Sequence, residues 1–106
     1  MNAGKERAPE SKGILLFTVA DVFAIEHRGC VLVPGIPDSS SGFPGIKRGV
    51  TITLRRPDGS EIQTTIKEFE MISARPRAYF ATPILLPSTI KKADVPIGTE
   101  VWYIGV

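Results

Sequence analysis

The sequence predicts an all-β domain, a closed or nearly closed barrel of six short strands. Three observations predict this fold. Short apolar runs are separated by Gly, Pro, Ser and Asp. No window keeps the i, i+3, i+4, i+7 apolar spacing of a helix over three turns, and the clearest runs alternate with a period of two. Six short strands joined by turns are typical of barrels.

Length and composition set the domain organisation. The chain has 106 residues, of which 42% are hydrophobic and 23% are charged, and this suits one domain with one apolar core. The net charge of +2 gives little global field, so binding of a polyanion would need a local basic patch. Residues 1–12 are polar and carry no period, so we expect a disordered N-terminal tail before a barrel domain at 13–106.

The first two predicted strands are 14–25 and 30–36. Within 14–25, the apolar residues of one parity share their face with Asp21, and a carboxylate that faces the core would be costly. A bulge near residues 20–22, or a hydrogen-bonded Asp21, would resolve the conflict. The short turn at 26–29 predicts that the two strands form a hairpin.

The third and fourth predicted strands, 49–56 and 61–72, flank the best turn signal in the chain. Residues 57–60 read PDGS; here Pro presets φ, Asp can bond to the backbone, and Gly accepts a positive φ. Within 61–72, the apolar parity switches between Ile66 and Phe69. That switch predicts a second bulge or bend.

The fifth and sixth strands are predicted at 79–86 and 99–105. Between them, a single helical turn is predicted at 88–93 with Ser88 as its N-cap. The predicted core is an apolar set drawn from all six strands. Its members are Phe17, Val19, Phe23, Val31, Ile52, Leu54, Ile66, Ile84 and Val101.

Catalytic chemistry has little support in the sequence. Cys30 is the only cysteine, so we expect no intramolecular disulfide and no thiolate metal cluster, which suits the cytoplasm. His27 and Cys30 could form a nucleophilic pair, but nothing in the pattern requires their side chains to converge. Ser88 and Lys91 match S-x-x-K, yet the enzymes that use this motif need a larger chain and further elements. No phosphate-binding loop motif is present, so we expect no enzyme activity and no cofactor or metal.

The basic residues suggest where a partner could bind. They fall at or near loops, and a barrel can gather such loops at one end into a phosphate-binding surface; ordinary solvated charge is the other interpretation. The candidates for RNA or partner binding are Arg28, Lys47, Arg48, Arg55, Arg56, Arg75, Arg77, Lys91 and Lys92. A membrane partner is not expected, because the apolar stretch at 13–25 contains Asp21 and is shorter than the roughly 20 residues that span a bilayer.

Several segments resemble a known family in the correct order. Residues 17–25 (FTVADVFAI), with the glycine-containing turn that follows, resemble the opening of domain II of elongation factor Tu and related translational GTPases. Four later segments of this chain resemble later segments of that domain: 46–52 (IKRGVTI), 69–71 (FEM), 84–86 (ILL) and 90–95 (IKKADV). The family motif is matched at Asp21, Phe23, Arg28 and Gly29.

The resemblance implies a six-stranded antiparallel Greek-key barrel. In that family the domain helps to hold the aminoacyl end of tRNA and touches the small ribosomal subunit, whereas GTP hydrolysis belongs to a separate, preceding domain. We therefore expect no GTP binding here. The family's Glu before Asp is Ala20 in this chain, and its Asn before a later V-G-V-L-L segment corresponds to Ala81. Two polar groups that help to hold the aminoacyl end are thus replaced.

Two functions from different classes remain open. The first is a non-catalytic binding module associated with RNA or translation. The alternative is a protein–protein interaction module, such as a small regulator or an immunity-type partner, that reuses the barrel. Fold alone does not choose between them. Binding that weakens steeply with salt favours RNA, and a salt-tolerant complex favours a protein partner.

Overall fold

The computed structural model describes residues 13–37, 46–70 and 81–104. Within these ranges the chain is mostly β, as the sequence predicts. The elements are strands β1 (Ile14–Thr18), β2 (Asp21–Ile25), β3 (Gly29–Pro37), β4 (Thr51–Arg55), β5 (Glu61–Thr65), β6 (Glu68–Phe69), β7 (Ala81–Leu85) and β8 (Glu100–Tyr103), and a 3₁₀ helix (Lys92–Asp94). The predicted tail at 1–12 and the loop residues 38–45 lie outside the described residues.

The described strands pair in two antiparallel four-stranded sheets. The first sheet has the order β1-β8-β4-β5, and the second has the order β2-β3-β7-β6. The predicted closure of the barrel is therefore wrong, because the described strands form two sheets and not a single closed one. The physical reason is that both long predicted strands are interrupted by bends.

The first bend divides the predicted strand 14–25 at Val19 and Ala20. The Val19 N–H donates to the Thr99 carbonyl at 2.8 Å, next to β8. The following N–H, that of Ala20, donates to the Val33 carbonyl of β3 at 2.8 Å. The chain thus leaves one sheet and enters the other within two residues, close to where the Asp21 conflict predicted a bulge.

The second bend divides the predicted strand 61–72 at Ile66 and Lys67. The Ile66 N–H donates to the Val50 carbonyl at 3.1 Å, beside β4. The Lys67 N–H donates to the Leu85 carbonyl of β7 at 2.9 Å. The predicted bend between Ile66 and Phe69 is confirmed, and it forms a second corner between the sheets.

Every predicted core residue is buried except Phe23, which is 49% exposed. The core cluster lies between the two sheets, and Val31, although buried, is not a member of it. In the second sheet one cross-strand row faces inward and holds Val22, Leu32, Ile84 and Phe69. Phe23 belongs to the neighbouring row, on the outer face with Val31, Leu85 and Glu68. The placement of Phe23 in the core is wrong because the change of sheet before β2 shifts the inward parity by one residue.

The predicted hairpin of the first two strands and the predicted turn at 57–60 are confirmed, and the predicted helical turn is not. β2 pairs with β3, and β4 pairs with β5. In the turn between β4 and β5, the Asp58 carboxylate accepts from the Ser60 N–H at 2.9 Å and from the Ser60 hydroxyl at 2.6 Å. The helical turn is shorter than predicted and follows Lys91, whose N–H donates to the Asp94 carboxylate at 2.9 Å. Ser88 is therefore not its cap.

No helix in the described ranges is long and apolar enough to cross a membrane.

Candidate functional site

An open groove of about 550 Å³ lies at the second corner, beside the bend between β5 and β6. Three segments that are distant in sequence line it: the turn before β4, the bend itself, and the residues after β7. The lining residues are Arg48, Gly49, Thr65, Ile66, Lys67, Pro87 and Ser88.

The turn before β4 holds Arg48 at the mouth of the groove. The Val50 N–H donates to the Lys47 carbonyl at 3.3 Å, and the Gly49 N–H donates to the Ile66 carbonyl at 2.7 Å. Gly49 has a φ of +89°, a conformation that favours glycine. No heavy atom lies within 4 Å of the position that a Cβ of Gly49 would occupy. The turn is thus tied to the bend and leaves this side of the groove unfilled.

The bend supplies the second cation. Ile66 is buried in the core and Lys67 is exposed, because neighbouring residues of an extended chain point in opposite directions. The Lys67 ammonium donates to the carbonyl of Arg28 at 3.4 Å. Ser88, in the segment after β7, is also exposed. Two cationic residues, Arg48 and Lys67, and two hydroxyl residues, Thr65 and Ser88, therefore line one open groove.

Two carboxylates stand beside these cations. Arg48 pairs with Glu68 at 3.3 Å, and Arg28 pairs with Glu70 at 2.7 Å. The cluster of Arg28, Arg48, Lys67, Glu68 and Glu70 thus has three positive and two negative charges, a formal charge of +1. An exposed ion pair such as Arg48–Glu68 contributes about 0–1 kcal/mol, so Arg48 stays open to exchange with an external anion.

The structure brings together only part of the predicted basic set. Arg55 lies elsewhere, at the end of β4, where it pairs with Glu61 at 3.0 Å and lies 5.5 Å from the Trp102 ring centroid. Arg56 donates to the Ser60 hydroxyl at 2.8 Å and to the Asp94 carbonyl at 3.4 Å. Both arginines support the β4–β5 hairpin.

The remaining predicted cations are distributed as follows. Lys47 is exposed and adjoins the groove without lining it. Lys91 and Lys92 are exposed at the start of the 3₁₀ helix. Arg75 and Arg77 lie outside the described residues. The groove therefore takes Arg48 from the predicted set, with Arg28 next to it.

The family-motif residues have structural surroundings. The Asp21 carboxylate accepts from the Val22 N–H at 2.8 Å, so it serves the backbone of an edge strand. Gly29 has a φ of +133°, and a Cβ there would overlap the Leu86 carbonyl oxygen. Phe23 lies on the outer face of β2.

The possible nucleophilic pair is not assembled. Cys30 is buried, and its thiol donates to the Ile90 carbonyl at 3.5 Å. Burial, followed by the nearby Asp94 charge, raises the pKa of the Cys30 thiol. The His27 side chain is 87% exposed in the β2–β3 turn and lies 3.4 Å from Glu26. Among the residues described, no group of three or more His, Cys, Asp or Glu side chains could hold a metal ion.

Lys67 and the two hydroxyl residues were missed by sequence reasoning as members of a site. The available signal was the parity switch after Ile66, which predicted a bend. A bend exposes the residue beside it and brings separate segments together, so Lys67 could have been proposed from that switch. Ser88 could not, because its place depends on the pairing of β7 with β3 and β6.

Comparisons of the chain with protein-family models, curated proteins and solved structures find no significant match.

Proposed function

We propose that this chain is a non-catalytic RNA-binding module that engages the phosphate backbone through the groove at the second corner. The observation that carries the proposal is that Arg48 and Lys67, together with the hydroxyl residues Thr65 and Ser88, line one open groove. Phosphate oxygens are held in proteins by cations and hydroxyl donors. With a net charge of only +2, such a local cluster is the form that RNA binding would take.

The fold proposed to underlie this function is the six-stranded Greek-key barrel of the elongation factor Tu domain II type. The two corners support it: if β1 with β2, and β5 with β6, each count as one bent strand, the described strands number six. The bent first strand then lies between β8 and β3, and the bent fourth strand lies between β4 and β7. An association with translation and a place in the cytoplasm follow from this resemblance.

We propose that the module binds charged and uncharged tRNA with similar affinity. Ala20 and Ala81 stand where the family has polar groups that hold the aminoacyl end, and a methyl group cannot replace their hydrogen bonds. Asp21 matches the family but is engaged with the Val22 N–H. Loss of two hydrogen bonds to a charged ligand corresponds to roughly 3–6 kcal/mol. The chain is also proposed not to bind GTP.

The test is fluorescence anisotropy with labelled single-stranded RNA, and with charged and uncharged tRNA, at a series of KCl concentrations. RNA binding should weaken linearly on a log–log plot, with each phosphate contact contributing about −0.7 to the slope for single strands. Charged and uncharged tRNA should bind alike. No retention of any RNA at low salt would contradict the RNA proposal, and a tenfold preference for charged tRNA would restore capture of the aminoacyl end.

A protein–protein interaction module is the second candidate. It is favoured by Phe23 and Ile25, which are 49% and 37% exposed on the same side of β2, an edge strand. Exposed apolar side chains on a sheet edge are suited to strand addition. This candidate predicts a complex that survives nuclease and high salt and is lost in Phe23→Ser. Retention that disappears after nuclease treatment would argue against it.

A further inference from the structure

The two ion pairs beside β6 differ in quality. Arg28 and Glu70 are 2.7 Å apart, and the Glu70 side chain is only 21% exposed. Arg48 approaches both carboxylate oxygens of Glu68 at 3.3 Å, with side chains 66% and 43% exposed. Charge-assisted hydrogen bonds are usually about 2.7–2.9 Å long. The Arg48–Glu68 pair is therefore long and solvated, and Arg48 is the arginine that can most easily change partner.

Lys67 is placed to share the same ligand. It lines the groove with Arg48, and its ammonium donates to a neutral carbonyl, that of Arg28, at 3.4 Å. In the described part of the chain no carboxylate forms an ion pair with Lys67. Its charge is therefore compensated less than that of Arg28 or Arg48.

We propose that the groove is a site for a single RNA phosphodiester, in which Arg48 exchanges Glu68 for a phosphate oxygen and Lys67 contacts the same phosphate. This rests on the proposed RNA-binding function and deepens it. Glu68 acts as an internal competitor that keeps Arg48 oriented and weakens binding of free anions. The hydroxyl residues Thr65 and Ser88, which also line the groove, supply uncharged donors.

The charge balance favours one phosphate over a long polyanion track. The carboxylates of Glu68 and Glu70 flank the cations, so a second phosphate along β6 would be repelled. The groove is open to solvent, so an RNA chain can reach it. A phosphodiester carries one negative charge, and this matches the formal +1 of the cluster.

The experiment measures the affinity of a fluorescein-labelled oligouridylate for the whole chain and for four variants. Arg48→Gln and Lys67→Gln remove the proposed contacts. Lys47→Gln is the matched control, since it removes the same charge from an exposed neighbour that does not line the groove. Glu68→Gln removes the proposed competitor. Far-ultraviolet circular dichroism and urea unfolding verify that each variant is folded.

Arg48→Gln and Lys67→Gln should each weaken binding about tenfold or more. Each should also reduce the magnitude of the salt slope by about 0.7. Glu68→Gln should tighten binding several-fold, because Arg48 no longer has to leave a carboxylate. Lys47→Gln should leave the slope unchanged and alter the affinity less than the groove variants do.

Different outcomes separate the two proposals. If the wild-type chain retains the oligouridylate at low salt but the groove variants behave like Lys47→Gln, RNA binding stands and this site is overturned. If Glu68→Gln weakens binding, the exchange is overturned. If the wild-type chain retains no RNA at low salt, both proposals fail. Binding of an oligoglutamate peptide with the same variant pattern and comparable affinity would overturn the assignment to RNA.

Discussion

Truncation of Ile84 is the sharpest test of how the second sheet packs. Ile84 is fully buried, and it lies in the inward row between Leu32 and Phe69. Ile84→Ala removes every carbon beyond Cβ, a transfer loss of about 0.8 kcal/mol per CH₂. The cavity left between two sheets adds to that loss, and buried Ile-to-Ala changes typically cost about 2–5 kcal/mol. We expect a loss within that range.

The same chain offers a matched control and a register test. Ile97 is 65% exposed, so Ile97→Ala makes the same chemical change at a site with little to lose, and surface changes are usually within about 0.5 kcal/mol. Phe23→Ala removes a larger side chain, but Phe23 is 49% exposed. Because full burial is worth about 1.5–3 kcal/mol, Phe23→Ala should cost about half of that.

Equilibrium urea unfolding, followed by the fluorescence of Trp102, measures these differences. With a slope of about 1–3 kcal/mol/M for a small domain, a 3 kcal/mol loss would lower the midpoint by at least about 1 M. The expected order of losses is Ile84→Ala, then Phe23→Ala, then Ile97→Ala. If Phe23→Ala proves the most damaging of the three, the register of β2 is wrong, and Phe23 faces the core as the sequence alone predicted.

Three further predictions concern the turns and the buried thiol. Gly29→Ala should lower the free energy of unfolding by about 1–3 kcal/mol or more, because it places a Cβ against the Leu86 carbonyl at a positive φ. A loss smaller than that of Ile97→Ala in urea unfolding would contradict this prediction. Cys30 should react with a thiol reagent only when the chain unfolds, since it is buried. Fast labelling of the native chain would refute burial. Because the pKa of the Cys30 thiol is raised in the folded chain, this thiol contributes fully to the free energy of unfolding below its unfolded pKa of about 8.5. That contribution is lost as the pH rises through the folded pKa. Hydrogen bonds from Ser60 lower the pKa of Asp58. The contribution of Asp58 to the free energy of unfolding is therefore present above its unfolded pKa of about 3.9 and is lost as the pH falls through the folded pKa. Asp58→Ala should flatten this acid dependence of the urea midpoint.

The candidate site could be foreseen only in part. Loop position and charge indicated Arg48 and Arg28, because both properties are read along the chain. The same reasoning included Arg55 and Arg56, which instead support the β4–β5 hairpin through Glu61 and Ser60. Charge alone does not tell a cation at a groove from one that is hydrogen-bonded to its own hairpin, because the partner is set by strand register.

The sequence by itself determined the local structure of this protein. Alternation with a period of two places strand β4, and the PDGS turn at 57–60 pairs it with β5; both signals act between residues close in the chain. The parity conflict at Asp21 and the switch after Ile66 marked the two places where the chain bends. Each of these features arises from backbone preferences and side-chain patterns within a few residues.

Only the tertiary structure decided which sheet each bent segment joins and which face it buries. Val19 bonds toward Thr99 and Ala20 toward Val33, and these distant partners set the register that buries Val22 and exposes Phe23. The groove arises in the same way, since it needs the bend at Lys67 to meet segments before β4 and after β7. A period-two pattern shows that a strand has an apolar and a polar face. Which residues are buried at a bend depends on hydrogen bonds to strands that are distant in the chain.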